Sequence, residues 1–417
     1  MQRFNLIVFL FVLISCAASP EKEPQTFQPS ANNEDSSLVK EIEDPLYCND
    51  KVKVGAERLD EYVSLLEGKK IGVVGNQSSL IGDIHLVDTL MSLGIEIKKV
   101  FSPEHGFRGK ADAGEHVNNE VDQKTGLPII SLYGNNKKPK KEQLSGLDVL
   151  VFDIQDVGVR FYTYISTLHY VMEAAAEQGI QVVVLDRPNP NGHYVDGPIL
   201  KDGYTSFVGM HQVPVVHGMT VGEYAQMVNG EFWLADSIQC DLTVVACEGW
   251  DHTKFYELPI APSPNLPNMM SVYLYPQLCF FEGTVVSIGR GTDFPFQIIG
   301  HPGYESEFSF VPQPNEGAGH PKLEGETCFG IDLHQEDLRE LRSKGTLNLT
   351  YMIDLYSQLG MGEDFFLSNN FINLLAGSDQ LKKQLIKGVS EEDIKATWEG
   401  DLELFKQLRS DYLLYKE

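Results

Sequence analysis

Four short runs of β-branched residues, each ending abruptly in polar side chains, constrain this chain more than anything else in it. They are KKIGVVGNQ, IEIKKVFSPEH, LDVLVFDIQD and IQVVVLDRPNP, opening at residues 69, 95, 147 and 180. Runs this apolar do not alternate, so they suit strands buried on both faces, as in a parallel sheet. Helical patterns separate them. HLVDTLMSLG follows the first run. TYISTLHYVMEAAAEQG follows the third, with Ile165, Leu168, Met172, Ala175 and Ala176 at helical spacing and Gly179 as its stop. The implied architecture is a doubly wound α/β domain with a parallel sheet.

In such sheets ligands occupy the crevice beyond the carboxyl ends of the strands. Those ends supply Asn76 and Gln77, then Glu104 and His105, then Asp153, Gln155 and Asp156, then Asp186, Arg187 and Asn189. The stretch FSPEHGFRG (101–109) holds Glu104, His105 and Arg108 on one short turn and is expected to form one wall of a polar site. Several of these residues also read as scaffolding. Asp153 and Asp156 could cap the helix starting near Thr163. Asp186 and Arg187 could form a structural ion pair. His217 precedes a helix whose Thr220 and Glu223 have capping-box spacing.

The motifs that are missing exclude several chemistries. GVVGNQSSL lacks the glycines of a dinucleotide fingerprint, and no phosphate-binding loop or GxSxG elbow occurs. Formal charge is −26, from 33 Lys+Arg against 59 Asp+Glu, which argues against nucleic acid as a partner. Cys240 and Cys247 bracket a strand-like segment that would hold them about 23 Å apart, well past the roughly 7 Å limit for a disulfide. Neither CxxC nor HxxxH spacing points to a metal, so no cofactor is expected.

The N-terminus, MQRFNLIVFLFVLISC, has one cation at Arg3 and an apolar run from Leu6 to Ile14, too short to span a bilayer as a folded helix. Ser15-Cys16 resembles a bacterial lipobox, which predicts a lipoprotein signal over 1–16 with lipid on Cys16. Plain signal cleavage near Ala17-Ala18-Ser19 is the other reading. Residues 17–45 read as a flexible tether. The expected product is exported and lipid-anchored to a bacterial membrane, on the periplasmic or outer-membrane side.

Beyond residue 255, APSPNLPNMMSVYLYPQ reads as a crossing segment rather than a strand or helix. FEGTVVSIGRGTDFPFQIIG reads as a strand, a glycine turn and an aromatic loop closing over the cleft. Helical stretches dominate from Asp332. The organisation expected is a sheet domain over 46–255 and a smaller mixed α/β auxiliary domain over 256–417.

The motifs GNQSSL, VFSPEHGFRG, TGLPIISLYG, DVLVFDIQDVGVRFYTYISTL, LDRPNPNG, VPVVHGMTVGEYA, PSPNLPN and FEGTVVSIGRGTDFPFQIIG resemble those of the bacterial exo-β-N-acetylmuramidases, glycoside hydrolases acting on peptidoglycan. The resemblance runs from about residue 53 to the C-terminus. It implies a Rossmann-like catalytic domain, a C-terminal auxiliary domain, and release of N-acetylmuramic acid from the non-reducing ends of peptidoglycan fragments. The alternative is a lipoprotein that binds muropeptides without turnover. Glycoside hydrolysis ordinarily needs two carboxyl groups. Glu104, with His105 beside it, Asp153 and Glu282 are the catalytic candidates. Muramic acid carries a lactyl carboxylate, for which Arg108, Arg160, Arg187 and Arg290 are the available guanidinium forks. Asn76, Tyr162, Asp186, Asn189 and His217 complete the candidate sugar-binding set.

Overall fold

The computed structural model describes residues 52–103, 106–108 and 120–417. Its frame is a seven-stranded sheet. The strands are β1 (Lys70–Gly75), β4 (Glu96–Ser102), β5 (Glu120–Val121), β6 (Pro128–Ser131), β7 (Val149–Asp153), β8 (Gln181–Leu185) and β9 (Leu242–Val245), while β2 (Leu80–Ile81) and β3 (Ile84–His85) form a separate hairpin. The order is β5-β6-β4-β1-β7-β8-β9. Six strands run parallel and the edge strand β5 runs antiparallel.

Alternate residues of the central strands feed two cores, as the two-residue period of a strand requires. Ile71, Val73, Val149, Val151, Val183 and Leu185 pack with Tyr62 and Leu66 of α1 (Leu59–Leu66) and Leu86, Val87 and Leu90 of α2 (Leu86–Ser92). Val74, Leu150, Phe152, Val182 and Val184 face the other way. There they meet Leu144 of α3 (Lys141–Leu144), Leu168 and Met172 of α4 (Tyr164–Gln178), and Tyr224 and Val228 of α5 (Val221–Gly230). Gly179 ends α4 in the left-handed conformation with φ 66°. Thr220 and Glu223 form the reciprocal cap of α5. The doubly wound α/β reading holds.

The second core continues into the rest of the chain through Leu278, Phe281, Phe365, Ile372 and Phe405. That part comprises α6 (Met269–Leu278), an antiparallel sheet of β10 (Ile298–His301), β11 (Ser309–Phe310) and β12 (Cys328–Asp332) in the order β10-β12-β11, and six helices. The helices are α7 (Leu338–Ser343), α8 (Thr350–Leu359), α9 (Phe371–Ala376), α10 (Gln380–Ile386), α11 (Glu391–Ala396) and α12 (Glu399–Ser410). Two expectations change here. The crossing segment is a helix, α6, capped by Asn268. All ten of its residues are buried, so no polar face marks its period, and Pro276 inside it disguises it further. The strand expected after FEG is a 3-10 turn (Cys279–Gly283) followed by isolated bridges at Thr284 and Ser287.

The end of the chain returns to the sheet. Tyr415 Oη donates to Asp186 Oδ2 at 2.6 Å and accepts from the Cys247 amide at 2.7 Å. The Leu414 amide donates to Glu223 Oε1 at 2.9 Å.

Candidate functional site

A cavity of about 620 Å³ opens at the carboxyl edge of the sheet, between the strand-end loops and the C-terminal part. The loop after β6 contributes Tyr133, Gly134, Asn135 and Lys137, and the β7–α4 loop contributes Phe161 to Thr163, with Tyr164 at the start of α4. Opposite them stand Tyr275 and Cys279, then Glu282, Arg290 and Phe296, with Phe371, Leu374 and Leu375 from α9 and its neighbourhood.

Aromatic rings make up much of the wall. Tyr162 meets Tyr164 edge-on at 4.8 Å and Tyr275 at 5.7 Å, and Tyr275 meets Phe296 at 4.9 Å. Their polar ends are fixed from behind. Tyr162 and Tyr164 both donate to the Pro262 carbonyl, at 3.0 and 3.4 Å. Asn76 Nδ2 donates to the Tyr164 hydroxyl at 3.0 Å, while Asn76 Oδ1 accepts from the Ser78 amide and hydroxyl. Asn76 therefore supports the wall without lining the cavity.

Glu282 is the single carboxylate among the described lining residues. Arg290 Nε donates to its Oε1 at 2.7 Å, with the two side chains 28% and 25% exposed. The Arg290 guanidinium also lies 5.0 Å from the centroid of the Phe296 ring. Below this pair, Lys322 Nζ donates to the carbonyls of Phe281, Thr284 and Val286 at 2.9, 2.5 and 3.1 Å, clamping the turn that carries Glu282. Burial pushes the Glu282 carboxyl up, but Arg290 and Lys322 outweigh it, and the net effect holds the group below its ordinary range. Burial brings Lys322 down to about 8. The arrangement presents an ionised carboxylate beside an apolar, ring-lined floor.

Of the sequence candidates, Tyr162, Glu282 and Arg290 come together in this cavity. Glu104, His105 and Cys16 lie outside the described residues. The others are held elsewhere. Arg187 donates to both carboxylate oxygens of Asp153 through Nε and Nη2, and its Nη2 also donates to the Leu80 carbonyl at 3.0 Å. Neither is a free fork or a free acid. Burial pushes the Asp153 carboxyl up against the pull of Arg187. Asp186 does not pair with Arg187 through side chains. It accepts from Thr220 Oγ1, the Gly222 amide and Tyr415 at 2.7, 2.7 and 2.6 Å, and burial, aided by the charge of Glu223, pushes it up to about 6.

Arg160 is fully buried and donates to the carbonyls of Pro198, Val213 and Leu375, with burial bringing its pKa down to about 9. Arg108 is paired bidentately with Asp122 at 2.8 Å twice, with Asp88 at 3.4 Å. Asn189 bridges the Met219 carbonyl and the Asn191 amide. His217 is sealed, and burial brings it down to about 3. Asp156 binds the Gly158 amide at 2.6 Å and does not cap α4, whose N-cap is Thr163. A polar residue at a strand end can serve the crevice or the loop joints beneath it, and the partners of these side chains are in the joints. Lys137 and Tyr275 also line the cavity and were not among the sequence candidates: Lys137 follows β6, a strand outside the four runs singled out, and Tyr275 lies in α6, which was not read as a helix.

The model of the family described as "Exo-beta-N-acetylmuramidase NamZ, N-terminal" matches residues 71–270, and its C-terminal counterpart matches residues 273–415. The chain is 40% identical over 394 residues to a Bacillus subtilis protein named peptidoglycan beta-N-acetylmuramidase NamZ, covering 88% of this chain and 92% of the relative. Two crystal structures of Bacteroides fragilis proteins, described as DUF1343 family members, superpose with TM-scores of 0.82 and 0.75 at 46% and 31% identity. Each comparison spans 88% of this chain and 99% of the other. With both family models accounting for nearly all of the described residues, the chain belongs to the exo-β-N-acetylmuramidase NamZ family.

Proposed function

We propose that the protein is an exo-acting glycoside hydrolase that releases N-acetylmuramic acid from the non-reducing ends of peptidoglycan fragments. The observation that carries this is the ring-lined cavity with Glu282 held ionised by Arg290 at its wall. Flat apolar rings suit sugar faces, and the ionised carboxylate supplies one of the two groups that glycoside hydrolysis requires.

An ionised Glu282 cannot donate a proton near neutral pH, so the acid must come from another residue. Asp153 and Asp186 are sealed in their networks. Glu104, which follows the end of β4 by two residues in the sequence, is the residue we assign as acid, with His105 next to it in the sequence. Incubation with a chromogenic β-muramide tests the function. Release of free N-acetylmuramic acid is expected, whereas saturable binding without release indicates a muropeptide-binding protein. For the acid, Glu104→Gln is expected to lower turnover on an unactivated disaccharide by about 10²–10⁴-fold. A folded variant with undiminished turnover removes Glu104 from the mechanism.

The same reading includes export and a lipid anchor on Cys16, supported by the apolar run and the Ser15-Cys16 junction. Metabolic labelling with a fatty acid tests it. Label is expected in the parent chain and absent from Cys16→Ser.

A further inference from the structure

Two cations line the cavity among the described residues, Arg290 and Lys137. Arg290 gives its Nε to Glu282 and lies against the Phe296 ring, so part of its charge is already answered. Lys137 meets no carboxylate among the described residues, although its neighbour Lys138 takes both Glu173 and Glu177 at 2.6 Å. The Lys137 ammonium lies 4.2 Å from the centroid of the Phe207 ring, and Phe207 stacks nearly parallel on Tyr170, at 6.2 Å and 11°. Phe207 also lines the cavity. The cation is thus placed by a ring that is itself stacked, and the N–H donors directed away from the ring face are available for an anion.

We propose that Lys137 binds the lactyl carboxylate of N-acetylmuramic acid and thereby sets the sugar specificity, an inference that rests on the muramidase reading above. The lactyl ether carries a methyl group beside its carboxylate, and the wall offers an apolar ring beside an ammonium. The formal charge of −26 makes such a local counter-charge necessary for an anionic sugar. The lactyl group turns about its ether bonds, so a point charge on a four-carbon stem can follow it without the fixed geometry of a guanidinium. N-acetylglucosamine lacks the carboxylate and gains nothing from this contact.

The test is a cycle between protein and substrate, in which kcat/KM is measured on a β-muramide, its lactyl methyl ester and a β-glucosaminide. For the wild type, esterification is expected to cost about 10- to 100-fold, the worth of one hydrogen bond to a charged group. Lys137→Met is expected to lose that factor on the free acid and nothing on the ester or the glucosaminide, and Lys137→Arg to regain part of it. Equal losses on acid and ester, or no loss on either, overturn the assignment alone. A wild-type enzyme that cleaves none of the three overturns the muramidase reading and this inference with it.

Discussion

Arg187 grips Asp153 through Nε and Nη2 at 2.6 and 2.9 Å, and both side chains are almost completely sealed from solvent. The pair ties the end of β7 to the loop after β8. Removing one partner strands the other charge in the core, which typically costs about 3–5 kcal/mol. Arg187→Met is therefore expected to lower the unfolding free energy by about that amount, read from urea melts. The ratio of muramide to glucosaminide hydrolysis should stay as it is. A stable variant with altered sugar preference would return Arg187 to the substrate site.

Glu282 should fix the acidic limb of activity. Its folded-state pKa is lowered, because Arg290 and Lys322 together outweigh the burial that raises it. The charge is present above the ordinary carboxylate value of about 4.3 and is lost only as pH falls through the lowered one. Any stability the pair adds follows the same window. Arg290→Gln removes the main downward pull and leaves burial, so the limb of kcat against pH should move to higher pH. Glu282→Gln should remove about 10²–10⁴-fold of turnover at all pH values.

Gly158 is a steric test of the β7–α4 loop. It sits at φ +75°, and a β-carbon there would fall 2.2 Å from the Asn189 side chain. Gly158→Ala should cost about 1–2 kcal/mol for the left-handed backbone alone, plus the displacement of Asn189. Because Phe161 to Tyr164 follow directly, KM should rise together with the loss of thermal stability.

The sheet was legible because its strands are buried on both faces and therefore announce themselves as unbroken apolar runs. Gly179 and the Thr220–Glu223 pair were legible because caps have local signatures. The site was not legible in the same way. Asp153, Asp186, Arg160 and Arg187 are polar residues bought into the interior by hydrogen bonds to partners as much as 229 residues distant, as in Asp186 and Tyr415. No spacing rule encodes such partners. Helix α6 escaped notice for the converse reason: with every residue buried, it lacks the polar face that makes a helix readable. Glu282 and Arg290, which do line the cavity, were candidates through the resemblance carried by FEGTVVSIGRGTDFPFQIIG, not through any strand-end pattern.

Tyr415→Phe isolates the contribution of the C-terminal staple. It leaves the ring packed and removes one donor from Asp186 and one acceptor from the Cys247 amide. A loss of about 1–3 kcal/mol is expected by chemical denaturation, with the midpoint shifted and the slope unchanged.

That staple also sets an order of events during synthesis. A ribosome delivers Asp186 long before Tyr415, so the buried carboxylate waits through the making of 229 further residues for one of its donors. Until Leu414 and Tyr415 are made, α5 and the loop after β8 lack this fastening.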